Sequence, residues 1–205
     1  MSSTTESRKN WLRKEFKLAF LAASKGKKSR EDVQFFTENY KTEIDSLIQE
    51  IFNRTYKLKP STAFIINKPV KREIFAADFR DRIVHHFLFN QVSGWWDRRF
   101  IEDSYSCRVG KGTLYGIKRL NKHIRAESDC YTKEAYLLKL DLQGYFMSLN
   151  RKKFYDRAMW GLDRQFPDKG FEYQMCKFLW KVIIFNDPTK NAVFACPRSC
   201  LVISI

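Results

Sequence analysis

The chain has 205 residues, with 38 Lys and Arg against 23 Asp and Glu, a formal net charge of +15. Hydrophobic residues make up 44% and include 18 Phe, 9 Tyr and 5 Trp, enough to bury a core and exclude wholesale disorder. No apolar run approaches the ~20 residues that span a bilayer, and the polar start, Met1 to Glu6, lacks the pattern of a secretory signal. An intracellular, soluble, cytoplasmic protein with no membrane partner is expected.

A surplus of +15 favours polyanions, because neutralising phosphates releases counterions, and nucleic acid is the natural partner of such a surface. A basic protein that is merely soluble has the same count. The basic residues are spread over the whole chain rather than gathered on one amphipathic helix, which disfavours a membrane surface. Five cysteines, Cys107, Cys130, Cys176, Cys196 and Cys200, form no dense framework and suit a reducing compartment. Cys196-Pro-Arg-Ser-Cys200 has no second pair, and His85, His86 and His123 lie far upstream, so no zinc site is expected.

Trp11, Leu12, Phe16, Ala19 and Phe20 recur at helical spacing, with Gly26 as the stop. Ser29 with Asp32 resembles a capping box that opens a second helix, whose core stripe is Ile44, Leu47, Ile48, Ile51 and Phe52. Lys59-Pro60 breaks the pattern. Ala63 to Ile66 and Arg72 to Phe75 are short β-rich runs, joined as a hairpin through Asn67-Lys68-Pro69-Val70. A helix is predicted over Asp81 to Trp96, with Ile83, Val84, Phe87, Leu88, Gln91 and Trp95 on one face. A loop from Glu102 to Thr113 and a helix from Leu114 to Arg125 follow. Tyr136 to Leu142 reads as a buried strand that ends in a carboxylate. Lys152 to Trp160 and Glu172 to Phe185 read as helices, and Asn186-Asp187-Pro188 as a turn. The fold class is α/β (α+β), helix-rich around a small sheet.

Three places could carry chemistry. Asp141, at the end of an apolar strand, needs a cation or hydrogen-bond donors if it is buried. The turn Gln143-Gly144-Tyr145-Phe146 would aim backbone N–H groups at whatever Asp141 faces, an arrangement that suits a metal ion clamped to a phosphate. A strand-end Asp capping the next turn suits the same spacing equally. The second place is Lys71-Arg72-Glu73-Ile74-Phe75 with Asp78-Phe79-Arg80-Asp81-Arg82, whose arginines can grip phosphate oxygens in pairs. It can equally be a salt-bridged surface in which Asp78 and Asp81 pair with Arg80 and Arg82, and His85 and His86 are read as helix-surface or core-edge residues. The third is Asp103 to Thr113, where Gly110-Lys111-Gly112-Thr113 lacks the spacing of a nucleotide-binding phosphate loop. It reads better as a loop that lets Arg108 and Lys111 approach a nucleic-acid backbone.

In this order the three clusters resemble the N-terminal half of a bacterial reverse transcriptase of the retron, diversity-generating-retroelement or group II intron kind. Arg72-Glu73-Ile74 with Asp81-Arg82-Ile83-Val84-His85-His86 resembles the fingers motifs. Ser104-Tyr105 with Arg108-Val109-Gly110-Lys111-Gly112-Thr113 resembles the loop-and-helix motif. Leu138-Lys139-Leu140-Asp141-Leu142-Gln143-Gly144-Tyr145-Phe146-Met147-Ser148-Leu149 resembles the palm motif with the first catalytic aspartate. The likeness spans about residues 60 to 195. It implies an N-terminal helical region (1–58), right-hand polymerase fingers (59–134) and an incomplete palm (135–205).

The resemblance implies that Asp141 is a catalytic ligand of Mg2+, with the Leu142 carbonyl a further ligand. Phe146 would be the steric gate at the sugar, with the Gly144 and Tyr145 amides near the triphosphate. Arg72 and Arg82 would clamp phosphates, and Arg108 and Lys111 would support template RNA or the fingers. RNA template, DNA primer and dNTPs are the implied partners. Such polymerases add a paired Asp-Asp on a second palm hairpin, and this sequence has no Asp-Asp pair. One metal carboxylate does not hold two ions, so this chain alone is expected not to polymerise. The apolar tail Leu201 to Ile205 fits the family poorly and reads as a truncated or out-of-frame end. The alternatives are a non-catalytic RNA- or DNA-binding module, and one half of a split polymerase whose missing C-terminal half is a separate polypeptide.

Overall fold

A computed structural model describes residues 3–68, 71–142, 144–190 and 192–194, with the side chains of Ser3, Thr4, Phe146 and Met147 also outside the description. The chain forms two compact units, Met1–Val92 with Arg151–Ile205, and Ser93–Asn150. The regions read from the sequence follow motifs, whereas compactness cuts the chain at Ser93 and Arg151.

The first unit opens with α1 (Ser3–Ser24), α2 (Glu31–Glu38) and α3 (Tyr40–Phe52). Leu12, Phe16 and Ala19 of α1 are fully buried, as are Leu47 and Ile51 of α3, so the apolar stripes read from spacing are the packed faces. Gly26 takes a left-handed φ of 70°, which lets the chain leave α1 sharply. The predicted second helix is two helices broken at Asn39, whose Nδ2 donates to the Phe35 carbonyl at 2.9 Å. The predicted Ser29–Asp32 capping box does not form. The N-cap of α2 is Arg30, whose guanidinium holds Asp32 at 3.0 and 2.8 Å, and Asp32 accepts from the N–H of its own neighbour Val33. Asp32, engaged by an arginine, is not the residue that reaches back to a cap.

The predicted hairpin is present as β1 (Thr62–Ile66) and β2 (Arg72–Ala76), antiparallel with Phe64 opposite Ile74. Pro69 and Val70 of its turn lie outside the described residues. β3 (Val193–Phe194) adds to β1 in parallel, giving the mixed order β2-β1-β3. α4 (Phe79–Asp97) follows the hairpin, and its Ile83, Val84 and Phe87 are fully buried. The Phe87 ring stacks on Phe16 at 4.5 Å between centroids, while Gln91 donates to Glu15 at 2.8 Å. α7 (Arg151–Gln165) and α8 (Phe171–Ile184) complete the unit, with Leu162, Cys176 and Leu179 buried. The result is a helix-rich α+β fold with a small three-stranded mixed sheet. None of the helices among the described residues is long and apolar enough to cross a membrane.

The first turn of α4 is anchored by buried charge. Both Arg80 and Asp81 are almost fully covered. Asp81 accepts from the Tyr56 hydroxyl at 2.7 Å and from the Lys59 backbone N–H at 2.8 Å. Arg80 reaches Glu50 of α3 at 2.6 Å and lies over the Tyr56 ring at 5.6 Å.

The second unit holds the end of α4, a loop, α5 (Thr113–Glu127) and the one-turn α6 (Tyr145–Ser148). Here the structure corrects one expectation. Tyr136 to Leu142 is not a buried strand: it has no regular secondary structure and its residues are exposed. An apolar run becomes a strand only when another strand takes up its N–H and C=O groups. The sheet among the described residues, β2-β1-β3, does not include it.

Burial is the largest influence on the Asp81 carboxyl and raises it, with the Tyr56 and Lys59 donors opposing that rise. A carboxyl raised by folding stabilises fully below its unfolded value of 3.8 and loses that contribution as pH rises through the folded value. Asp81→Asn has no such titration, so the wild type should gain stability relative to Asp81→Asn as pH falls from about 7 towards 4. Urea unfolding across that range checks this, and a flat or inverted difference would contradict it. Tyr56→Phe should cost about 1–3 kcal/mol at neutral pH, because it strips a donor from a buried carboxylate.

Candidate functional site

Asp141 lies in the exposed, irregular segment that precedes α6. Its Oδ1 accepts from the N–H of Leu142 at 2.9 Å. Gly144 then adopts a left-handed conformation (φ 60°, ψ 29°) and serves as the N-cap of α6 without a side-chain bond. The N–H of Ser148 closes that turn on the Gly144 carbonyl at 3.0 Å. The carboxylate therefore caps its own neighbour rather than the following helix. Asp141, Leu142, Gly144 and Tyr145 are all exposed, while the Phe146 side chain lies outside the described residues.

Magnesium needs several hard oxygen donors, and a two-ion site needs carboxylates that bridge. The described residues contain no group of three or more His, Cys, Asp or Glu able to hold a metal ion. Asp141 with the Leu142 carbonyl does not fit a two-ion centre by itself.

The two expected phosphate clamps differ in setting. Arg72 is exposed at the first position of β2, opposite Ile66 beside the hairpin turn. Arg82 is turned into the fold: its Nε donates to the Ala77 carbonyl at 2.9 Å and its Nη2 lies 3.5 Å from Asp32. Burial, then the charge of Arg30, lowers its pKa from the ordinary arginine value. The salt-bridged alternative holds in kind but with other partners. Arg80 pairs with Glu50 and Arg82 with Asp32, whereas Asp78 accepts from the Arg80 backbone N–H at 2.9 Å. Residues one or two apart on a helix do not face each other, so neighbours in sequence seek partners on other elements. His85 and His86 sit half-buried at the core edge, as expected, and burial lowers both imidazoles.

In the second unit, Arg108 and Lys111 hold the loop together. Arg108 donates to the Asp97 carboxylate at 2.6 Å and to the carbonyls of Ile101 and Ser104 at 3.0 and 3.1 Å. Lys111 reaches the Glu102 carbonyl at 2.8 Å and its carboxylate at 3.0 Å. The left-handed residues Ser106, Cys107 and Gly110 bend the loop back, and the Ser106 N–H meets the Lys111 carbonyl at 3.0 Å. Charges engaged this way shape the loop before they contact anything else.

Sequence reasoning passed over Asp103 and Trp160. Asp103 accepts from Tyr105 at 2.6 Å and from Arg119 at 2.7 and 3.0 Å, with His123 at 2.8 Å. The Arg119 bonds, followed by that of Tyr105, hold its carboxyl well below the usual carboxylate range. The signal was available, since Tyr115, Arg119 and His123 recur every four residues on one face of α5. On α7, Arg157 and Arg164 lie 4.1 and 4.0 Å from the Trp160 ring, a cation–π arrangement on a strongly basic helix. Cys107 and Cys130 are exposed free thiols, and burial pushes the Cys176 thiol up to about 12. Cys196 and Cys200 lie outside the described residues, as does the tail Leu201 to Ile205.

Arg108→Ala leaves the Asp97 charge and two loop carbonyls without their donor. A loss of about 1–3 kcal/mol is expected, together with faster proteolysis between residues 98 and 112. Unchanged cleavage in that window would show that Arg108 does not organise the loop. In comparison with known proteins, the chain matches no family model and no curated protein.

Proposed function

We propose that the chain supplies the fingers and the first part of the palm of an RNA-directed DNA polymerase of the reverse transcriptase kind. The observation that carries this reading is the segment Leu138 to Leu149, third in a fixed order of motifs, with an exposed Asp141 just ahead of the left-handed Gly144 and a one-turn helix. A short turn of that form is what backbone amides need in order to face an anion. In this reading Asp141 and the Leu142 carbonyl are ligands for Mg2+. The amides of Gly144 and Tyr145 border the triphosphate, and Phe146 borders the sugar. Exposed Arg72 is the leading phosphate contact of the fingers. Arg82 supports the first unit from within, and Arg108 with Lys111 supports the loop of the second, because each has donors engaged within its own unit. The partners are an RNA template, a DNA primer and dNTPs, with an Asp-Asp palm hairpin contributed by further polypeptide.

A single carboxylate assigns no phosphoryl-transfer step to this chain by itself. Primer extension with the pure chain, Mg2+ and an RNA template should therefore give no incorporation above background. With a polypeptide that carries the Asp-Asp hairpin supplied, incorporation should appear and be lost on Asp141→Ala. Incorporation that persists in Asp141→Ala would overturn the reading.

The charge of +15 favours a second reading, a nucleic-acid-binding module without chemistry. It predicts RNA affinity that falls steeply with salt and is unchanged by Asp141→Ala or by removal of Mg2+. Anisotropy titrations with a labelled RNA separate the two.

A further inference from the structure

We propose that the segment Leu138 to Leu142 is a self-association edge, at which two copies of this chain pair antiparallel about a two-fold axis at Leu140. The starting observation is exposure. Tyr136 is 92% exposed, Leu137 61%, Leu138 81%, Leu140 80% and Leu142 70%, an unusual setting for five large side chains so close together. Among the described residues, none of the backbone N–H groups from Tyr136 to Leu140 has a backbone acceptor, and Lys139 forms no ion pair. A row of unpaired N–H and C=O groups flanked by leucines is a template for another strand.

The sequence of the segment selects the occupant. In an antiparallel pair centred on Leu140, Leu140 meets its own copy and Leu138 meets Leu142 in both directions. Because strand side chains alternate, those leucines share one face. On the other face Lys139 of each copy stands opposite Asp141 of the other, which gives two cross-strand ion pairs of opposite sign. Sliding the register by two residues places Lys139 against Lys139 or Asp141 against Asp141. A slip by one residue sets charge against leucine. The segment is thus complementary to itself in one register, which is the requirement for an isologous contact. A two-stranded ribbon is marginal in isolation, so the dimer should be weak, with a dissociation constant on the order of micromolar or above. A copy whose Asp141 is paired in this way does not offer that carboxylate to a metal ion. The association itself is independent of the polymerase reading, because it requires neither nucleotide nor Mg2+.

Charge exchange tests the register. Sedimentation equilibrium of the wild type without Mg2+ should show mass rising towards twice the monomer with concentration. Lys139→Asp alone, or Asp141→Lys alone, sets like charges opposite each other at two positions and should raise the dissociation constant about tenfold or more. The double variant Lys139→Asp with Asp141→Lys restores both pairs with reversed polarity and should return the dissociation constant to within about threefold of wild type. These side chains are exposed, and unchanged circular dichroism and melting would show that each variant is folded. A wild type that stays monomeric, single exchanges without effect, or a double variant as weak as the singles would each overturn the proposal. The mass of the wild type and its variants is read without nucleotide or Mg2+, whereas primer extension is read on the wild type and Asp141→Ala, so the two readings fail separately.

Discussion

The buried charge at the start of α4 is the constraint on which the first unit depends. Asp81 is out of water and can stay there only because Tyr56 and the Lys59 backbone N–H supply donors. Arg80, one residue earlier, is covered too and is satisfied by Glu50 on α3. These bonds join three stretches: the end of α3, the irregular run from Asn53 to Ser61, and the first turn of the helix that follows the hairpin. Removing one partner would strand the other charge in a poorly solvating interior, which is far costlier than losing an exposed ion pair. The aromatic core of Phe16, Phe36, Phe79 and Phe87 then packs around a helix whose start is already held.

Similar economics of polar groups shape the second unit, with a different outcome. Its loop is covered by its own charged side chains: Arg108 and Lys111 bond to loop carbonyls, while Asp103 gathers Tyr105, Arg119 and His123. Where no partner is provided, order stops. The apolar run Tyr136 to Leu142 has the composition of a strand but no strand beside it among the described residues, so its leucines face solvent. Asp141, at the end of that run, is exposed as well and bonds only its neighbour Leu142 among the described residues.

Much of the framework was legible in the residues. The stripes of α1, α3 and α4 are periodic, and periodicity survives any choice of neighbour. The hairpin was legible from two β-rich runs either side of Asn67-Lys68-Pro69-Val70. The break at Asn39 was not, since one polar residue within a helical pattern becomes a boundary only when its side chain finds the carbonyl of Phe35. Of the residues expected at a site, Arg72 stands exposed. Arg82, Arg108 and Lys111 carry the same charge in the sequence but direct donors into the fold.

The sequence by itself determined the amphipathic helices, the hairpin, the strong positive charge and the order of the motifs. These depend on local spacing and composition, which need no distant partner. Tertiary structure alone decided which acid meets which base and whether an apolar run becomes a strand. It pairs Arg80 with Glu50 rather than with neighbouring Asp78 or Asp81, because helix geometry turns adjacent side chains apart. It left Leu138, Leu140 and Leu142 in solvent, because strand formation is a property of two segments and composition reports on only one.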